Sequence, residues 1–167
     1  MLAVLAALLA VGSGAVAAAT PAGGSVRMFG TPKRSGGTFM FTGAIGDYGT
    51  TQRQNANGSP SAAGGYVKFN LKLGTFVANA TSLFTALGNA RFSFNAATCS
   101  GSGGATGSAI LSGGTGKYAG ISGTLRVTAT FAQIGSRLKN GKCNMSNNAK
   151  PLSQFSLVTG SGHVSFG

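Results

Sequence analysis

Apolar and polar residues alternate along several stretches of this chain. Over 66–73, Val67, Phe69, Leu71 and Leu73 alternate with Lys68, Asn70 and Lys72. Over 91–96, Phe92, Phe94 and Ala96 alternate with Arg91, Ser93 and Asn95. Over 124–131, Leu125, Val127, Ala129 and Phe131 alternate with Arg126, Thr128 and Thr130, and Phe39, Phe41, Gly43 and Ile45 repeat the pattern nearer the start. A period of two places one face in a core and the other in solvent, the mark of antiparallel strands. Further strands are expected at 25–29, 75–81, 105–112 and 155–166, for about eight in all. The segment 46–65 reads as a long surface loop.

Beyond the first nineteen residues, no stretch carries a helical period. The chain has 29 glycines and no glutamate, so helix formers are scarce. The glycine runs at 101–104 and 113–116 read as turns between strands. Short antiparallel strands joined by such turns make a sandwich or a closed barrel. A barrel also removes the exposed edges that a chain with little charge could not otherwise protect.

Residues 1–19 differ from the rest. They are apolar and uncharged and end in Ala17-Ala18-Ala19, which fits a secretion signal cleaved before Thr20. The remainder is one domain by length. It divides into an N-terminal extension over 20–36, with a short first strand, and a barrel domain over 37–167. Cys99 and Cys143 are the only cysteines, and in a secreted, extracellular protein they are expected to form one disulfide. Closing a loop of that length stabilises a fold by about 4 kcal/mol in the chain-entropy model. Two distant cysteines and one histidine do not make a zinc site, and neither a metal nor a cofactor is expected.

Asp47 is the only acidic residue, set against thirteen Lys and Arg, for a net charge of +12. No carboxylate pair exists for glycosidase or aspartic-protease chemistry, and no acidic cluster for a hard cation. A Ser-His-Asp triad would have to run through Asp47 and His163, and nothing around either residue suggests one. Arg137, Lys139, Lys142 and Lys150 gather around Cys143, and Arg27, Lys33 and Arg34 lie near the mature start. This surplus suits an anionic polymer or surface as partner. It equally serves to keep an apolar, glycine-rich protein in solution. Sequence-specific nucleic-acid binding is not expected, since neither a recognition helix nor a stacking platform is evident. A phosphate loop ending at Gly116-Lys117 would need glycine at 111 and Ser or Thr at 118, where the chain has Leu111 and Tyr118.

The segment Gly113-Gly114-Thr115-Gly116-Lys117-Tyr118-Ala119-Gly120-Ile121-Ser122-Gly123, leading into 124–131, resembles the glycine-rich turn and strand of the allene oxide cyclase and dirigent barrels. An F-x-F strand, Phe92 and Phe94, precedes it as in those families, and the resemblance covers residues 90–132. It implies an all-β fold, an eight-stranded antiparallel β-barrel of calycin-like kind, assembled as a homo-oligomeric trimer. It further implies an apolar cavity in which a lipid epoxide or phenolic radical is steered to closure or coupling. The chain departs from the pattern in three places. It has no glutamate to match the catalytic one of the cyclases. Ile121 and Ser122 stand where dirigents carry Ala and Arg. The GDYG string that cyclases carry just before this turn occurs far upstream, at Gly46-Asp47-Tyr48-Gly49.

Asp47 is a candidate catalytic residue, orienting a ligand or accepting a proton at the barrel mouth, with Tyr48 beside it. The plainer reading, and the favoured one, is a turn residue, solvated and dispensable for folding. Ligand-binding candidates are Phe39, Phe41, Phe69, Phe92, Phe94, Tyr118 and Phe131, with the tyrosines lining a cavity or its rim. His163 alternates with Val164 and Phe166 and reads as a surface or core-satisfied histidine. Two functions stay open. One is a secreted barrel that binds a small apolar molecule and cyclises it or sterically directs its reaction. The other is a module held to anionic polymer by its basic exterior. A cavity lined by Phe, Leu and Val favours the first, and a filled interior with clustered basic residues favours the second.

Overall fold

A computed structural model of the chain describes residues 23–33, 36–146 and 148–167. The secretion signal expected over 1–19 lies outside them. The strands are β1 (Gly24–Lys33), β2 (Gly36–Gly43), β3 (Asp47–Gln54), β4 (Tyr66–Leu71), β5 (Gly74–Asn79), β6 (Ser93–Asn95), β7 (Ser100–Ser112), β8 (Ser122–Ile134) and β9 (Ser153–Ser165), with one α-helix, α1 (Thr81–Gly88). All pairings are antiparallel, in the order β5-β4-β3-β2-β1-β9-β8-β7, and β7 returns to β5. Eight strands thus close into a barrel. Closure spares the ring the two long free edges of an open sheet, which a chain so poor in charge could not protect.

The alternation read from the sequence sets the inward face. Val26 and Met28 of β1, Phe39 and Phe41 of β2, Phe76 and Ala78 of β5, Leu125 and Val127 of β8, and Val158 and Val164 of β9 are all buried. Burying side chains of this size contributes about 1.5–3 kcal/mol each.

Closure between β5 and β7 is short, pairing only Val77, Ala78 and Asn79 with Ser112, Leu111 and Ile110. The helix α1 fills the gap left along β7. Its one buried residue, Leu83, lies against β7 at Gly107, where any Cβ would collide with the Leu83 backbone. Glycine is required there for close approach of helix to strand. At its start the helix has no side-chain cap of its own, but the Asn79 side chain accepts the Thr81 N–H at 3.2 Å.

One sector of the wall extends past the ring. The first part of β9 has no β1 partner before Val158, yet pairs with β8 through to Ser153. The first part of β7 likewise pairs with β8 and with β6, which lies outside the ring. This ribbon carries the Cys99–Cys143 pair, bonded with a Cα–Cα distance of 5.4 Å. The bond ties the β8–β9 connection to the turn between β6 and β7.

The barrel has the expected number of strands but not the expected set. The segment 46–65, read as a loop, contains β3, a full member of the ring. The alternation at 91–96 yields only three-residue β6, outside the ring and exposed. Glycines 101–104, read as a turn, are part of β7. The strand expected at 75–81 ends at Asn79 and gives way to α1. Finally, β1 pairs with β9 over Gly24–Gly30 and with β2 over Val26–Lys33, so the barrel begins at Gly24 rather than at 37.

Candidate functional site

The barrel interior is divided along its axis. One end is packed solid by aromatic rings. Phe41 and Phe69 meet edge to face at 5.1 Å, Phe69 stacks on Phe76 at 5.0 Å, and Phe76 meets Tyr118 at 5.5 Å. Such geometries let the positive ring edge face the negative ring face. Phe76, Tyr118 and Ile45 are wholly buried here.

Asp47 belongs to this packed floor. Its Oδ2 accepts the Tyr118 hydroxyl at 2.6 Å and the Leu73 N–H at 2.9 Å, and its Oδ1 accepts the Tyr48 N–H at 2.7 Å. Burial works to raise its pKa. The hydrogen bonds from Tyr118 and from the amides of Leu73, Tyr48 and Lys72 outweigh burial and hold it below the ordinary value. Burial, then the hydrogen bond to Asp47 and its charge, push the Tyr118 hydroxyl up. With 6% of its surface exposed, Asp47 is not a solvated turn carboxylate. It joins the start of β3, the β4–β5 turn and the β7–β8 turn beneath the barrel. Tyr48, one position on, points outward and is exposed, with the Lys72 ammonium 5.7 Å from its ring centroid.

The other end holds a cavity of about 390 Å³, a size typical of small-molecule sites. Met28, Phe39, Val67, Phe69, Leu125, Val127 and Val158 line it from the barrel wall, and Leu83, Phe84 and Leu87 of α1 form one side. Small residues keep the space open, among them Ala78, Ala109 and Ala129. Gly30 lets the Phe39 ring lie flat on β1, where any side chain would collide with it.

Three residues with polar side chains are part of this lining: Thr51, Arg53 and Lys33. Arg53 is half-buried. Its Nε donates to the Gly64 carbonyl at 2.8 Å, and its guanidinium lies 3.7 Å from the centroid of the Phe84 ring, a cation–π contact. Burial draws its pKa below the ordinary value. Among the described residues, no three His, Cys, Asp or Glu side chains come together as metal ligands.

The expected ligand-binding residues separate into three groups. Phe39 and Phe69 line the cavity. Phe41 and Tyr118 lie in the packed floor below it. Phe92, Phe94 and Phe131 sit on the ribbon, Phe92 and Phe131 with ring centroids 4.1 Å apart, and none of the three borders the cavity. His163 is exposed on β9. Sequence reasoning missed Thr51 and Arg53 because β3 presents no apolar period. The one usable signal was its β-forming Tyr48, Thr50 and Thr51. Comparison of the chain with protein-family models, with curated proteins and with solved structures gave no match.

Proposed function

We propose that this protein is a secreted barrel that binds a small apolar molecule in the cavity beside α1 and, by confining it, directs a ring closure or coupling. The observation that carries this reading is the divided interior. Aromatic rings fill one half, while the other keeps about 390 Å³ open behind an apolar lining. A barrel needing only stability would fill both halves, because close packing lowers the energy everywhere. No carboxylate reaches the cavity, since the only acidic side chain is engaged in the floor. Steering there would come from shape and from Thr51, Arg53 and Lys33, not from paired acids and bases. The resemblance of 113–131 to the allene oxide cyclase and dirigent barrels supports a reaction of this kind, and the disulfide fits an exported protein.

Mass spectrometry of an organic extract tests the reading, using protein purified without denaturation from its own source. One apolar molecule near equimolar amount is the expected result. An empty extract, together with no thermal shift from a panel of apolar compounds, would set the reading aside.

A second reading keeps one observation of its own. Arg137, Lys139, Lys142 and Lys150 are all exposed on the β8–β9 connection, with no acidic side chain to offset them. Such a cluster would hold an anionic polymer. Retention on a polyanion column that falls steeply with salt, and is lost when the three lysines become glutamine, tests it.

A further inference from the structure

We infer, resting on the ligand-binding reading above, that the cavity's ligand is an organic anion whose single negative group is held by Arg53. Arg53 and Asp47 both point inward from β3 but stand at its opposite ends. Six residues of strand, at about 3.3 Å each, place them about 20 Å apart. Asp47 is the chain's only acidic side chain, and it is already engaged by Tyr118, Leu73 and Tyr48. No side chain of this protein can therefore neutralise Arg53.

A cation held partly out of water without a partner is costly, and the cost falls when an anion joins it. The placement of Arg53 prepares it for one. Its Nε is spent on Gly64 and its face is covered by Phe84. Among the described residues the side chain makes no other hydrogen bond, so the two terminal nitrogens keep their donors free. Arg53 borders both this cavity and the outer groove past Gly64 and Tyr66, at the cavity's rim. The two nitrogens form the fork that matches a carboxylate or sulfonate in two parallel bonds. Lys33 borders the same cavity from the end of β1 and adds a second positive charge to the field that draws an anion in. Below Arg53, Phe39 and Phe69 offer only apolar surface. The ligand would thus sit with its charge at Arg53 and its apolar body toward the floor.

Two fluorescent probes test this on the full chain. 8-Anilinonaphthalene-1-sulfonate and N-phenyl-1-naphthylamine share one ring system and differ by the sulfonate. Cavity-bound probe is identified as the part lost in Ala109→Phe. The anionic probe is expected to bind more tightly than the neutral one, with an affinity that falls as salt rises. In Arg53→Gln the anionic probe should lose about tenfold or more, as for a lost charge-assisted hydrogen bond, and the neutral probe less than about twofold. Arg53→Lys should recover part of the loss. If Arg53→Gln does not fold, the salt dependence of the native protein and the Arg53→Lys variant decide the matter. Equal loss of both probes, or no loss of either, would overturn the role of Arg53 and leave the cavity reading standing. Failure of both probes to bind the cavity would sink the cavity reading and this inference together.

Discussion

The Tyr118 hydroxyl donates to Asp47 Oδ2 across 2.6 Å, joining two buried residues 71 positions apart in sequence. This bond pins the β7–β8 turn under the floor of the barrel. In Asp47→Asn the side chain keeps its shape, but its NH2 must face either the Leu73 N–H or the Tyr48 N–H. One partly buried backbone donor then loses its acceptor beside the buried Tyr118 hydroxyl, which costs about 1–3 kcal/mol. A fall in Tm of about 3–10 °C is expected by calorimetry for a domain of this size. An unchanged Tm would show that the carboxylate is not needed by the fold.

The same pair sets the pH limits of stability. The pKa of Asp47 is held below its ordinary 3.8 in the folded state, so its contribution is complete above that value and is lost as pH falls through the lowered one. The hydroxyl of Tyr118 is raised above its ordinary 10.0, so its contribution is complete below pH 10 and is lost as pH rises beyond it. Because no other acidic side chain exists, Asp47→Asn should flatten the acid limb of a urea-melt series and shrink the alkaline limb, since burial alone then raises Tyr118. Tyr118→Phe should instead remove this alkaline limb and weaken the acid one, the backbone amides still holding Asp47. An acid limb that persists in Asp47→Asn would contradict this assignment.

The parts of the fold legible in the sequence were those built on hydrophobic contrast. β2, β4 and β8 bury alternate Phe, Leu and Val residues, and the period of two finds such strands directly. β3 was hidden for the opposite reason. Its inward positions are Asp47, Gly49, Thr51 and Arg53, so alternation between core and solvent leaves no trace in hydropathy. That strand carries both the floor carboxylate and the cavity cation, as expected where function overrides the local pattern. The strand at 91–96 failed differently. Its Phe92 and Phe94 alternate correctly, but they lie on a ribbon outside the ring, and alternation cannot tell a barrel wall from a projecting edge. Helix α1 is too short and too poor in strong helix formers to announce itself; it depends on docking at Gly107.

That dependence is testable. Gly107→Val places a branched side chain where the backbone of Leu83 now lies, forcing α1 off β7. Overpacking of this kind costs about 1–3 kcal/mol. Hydrogen exchange should speed at the amides of α1 while the amides of β8, on the other side of β7, stay protected. Uniform loss of protection would mean that α1 and the barrel open as a single unit.

The central claim is that the open half of the barrel is a binding site and not a packing defect. Titration with neutral N-phenyl-1-naphthylamine tests it most directly, comparing the native chain with Ala109→Phe, whose ring would fill the cavity from β7. Exposed Phe155 and Phe94 on the ribbon offer the probe a weaker surface that this substitution does not touch. The account predicts one saturable site per chain in the native protein and its loss in Ala109→Phe at an unchanged fold. Equal binding by both proteins, or none by the native one, would contradict it.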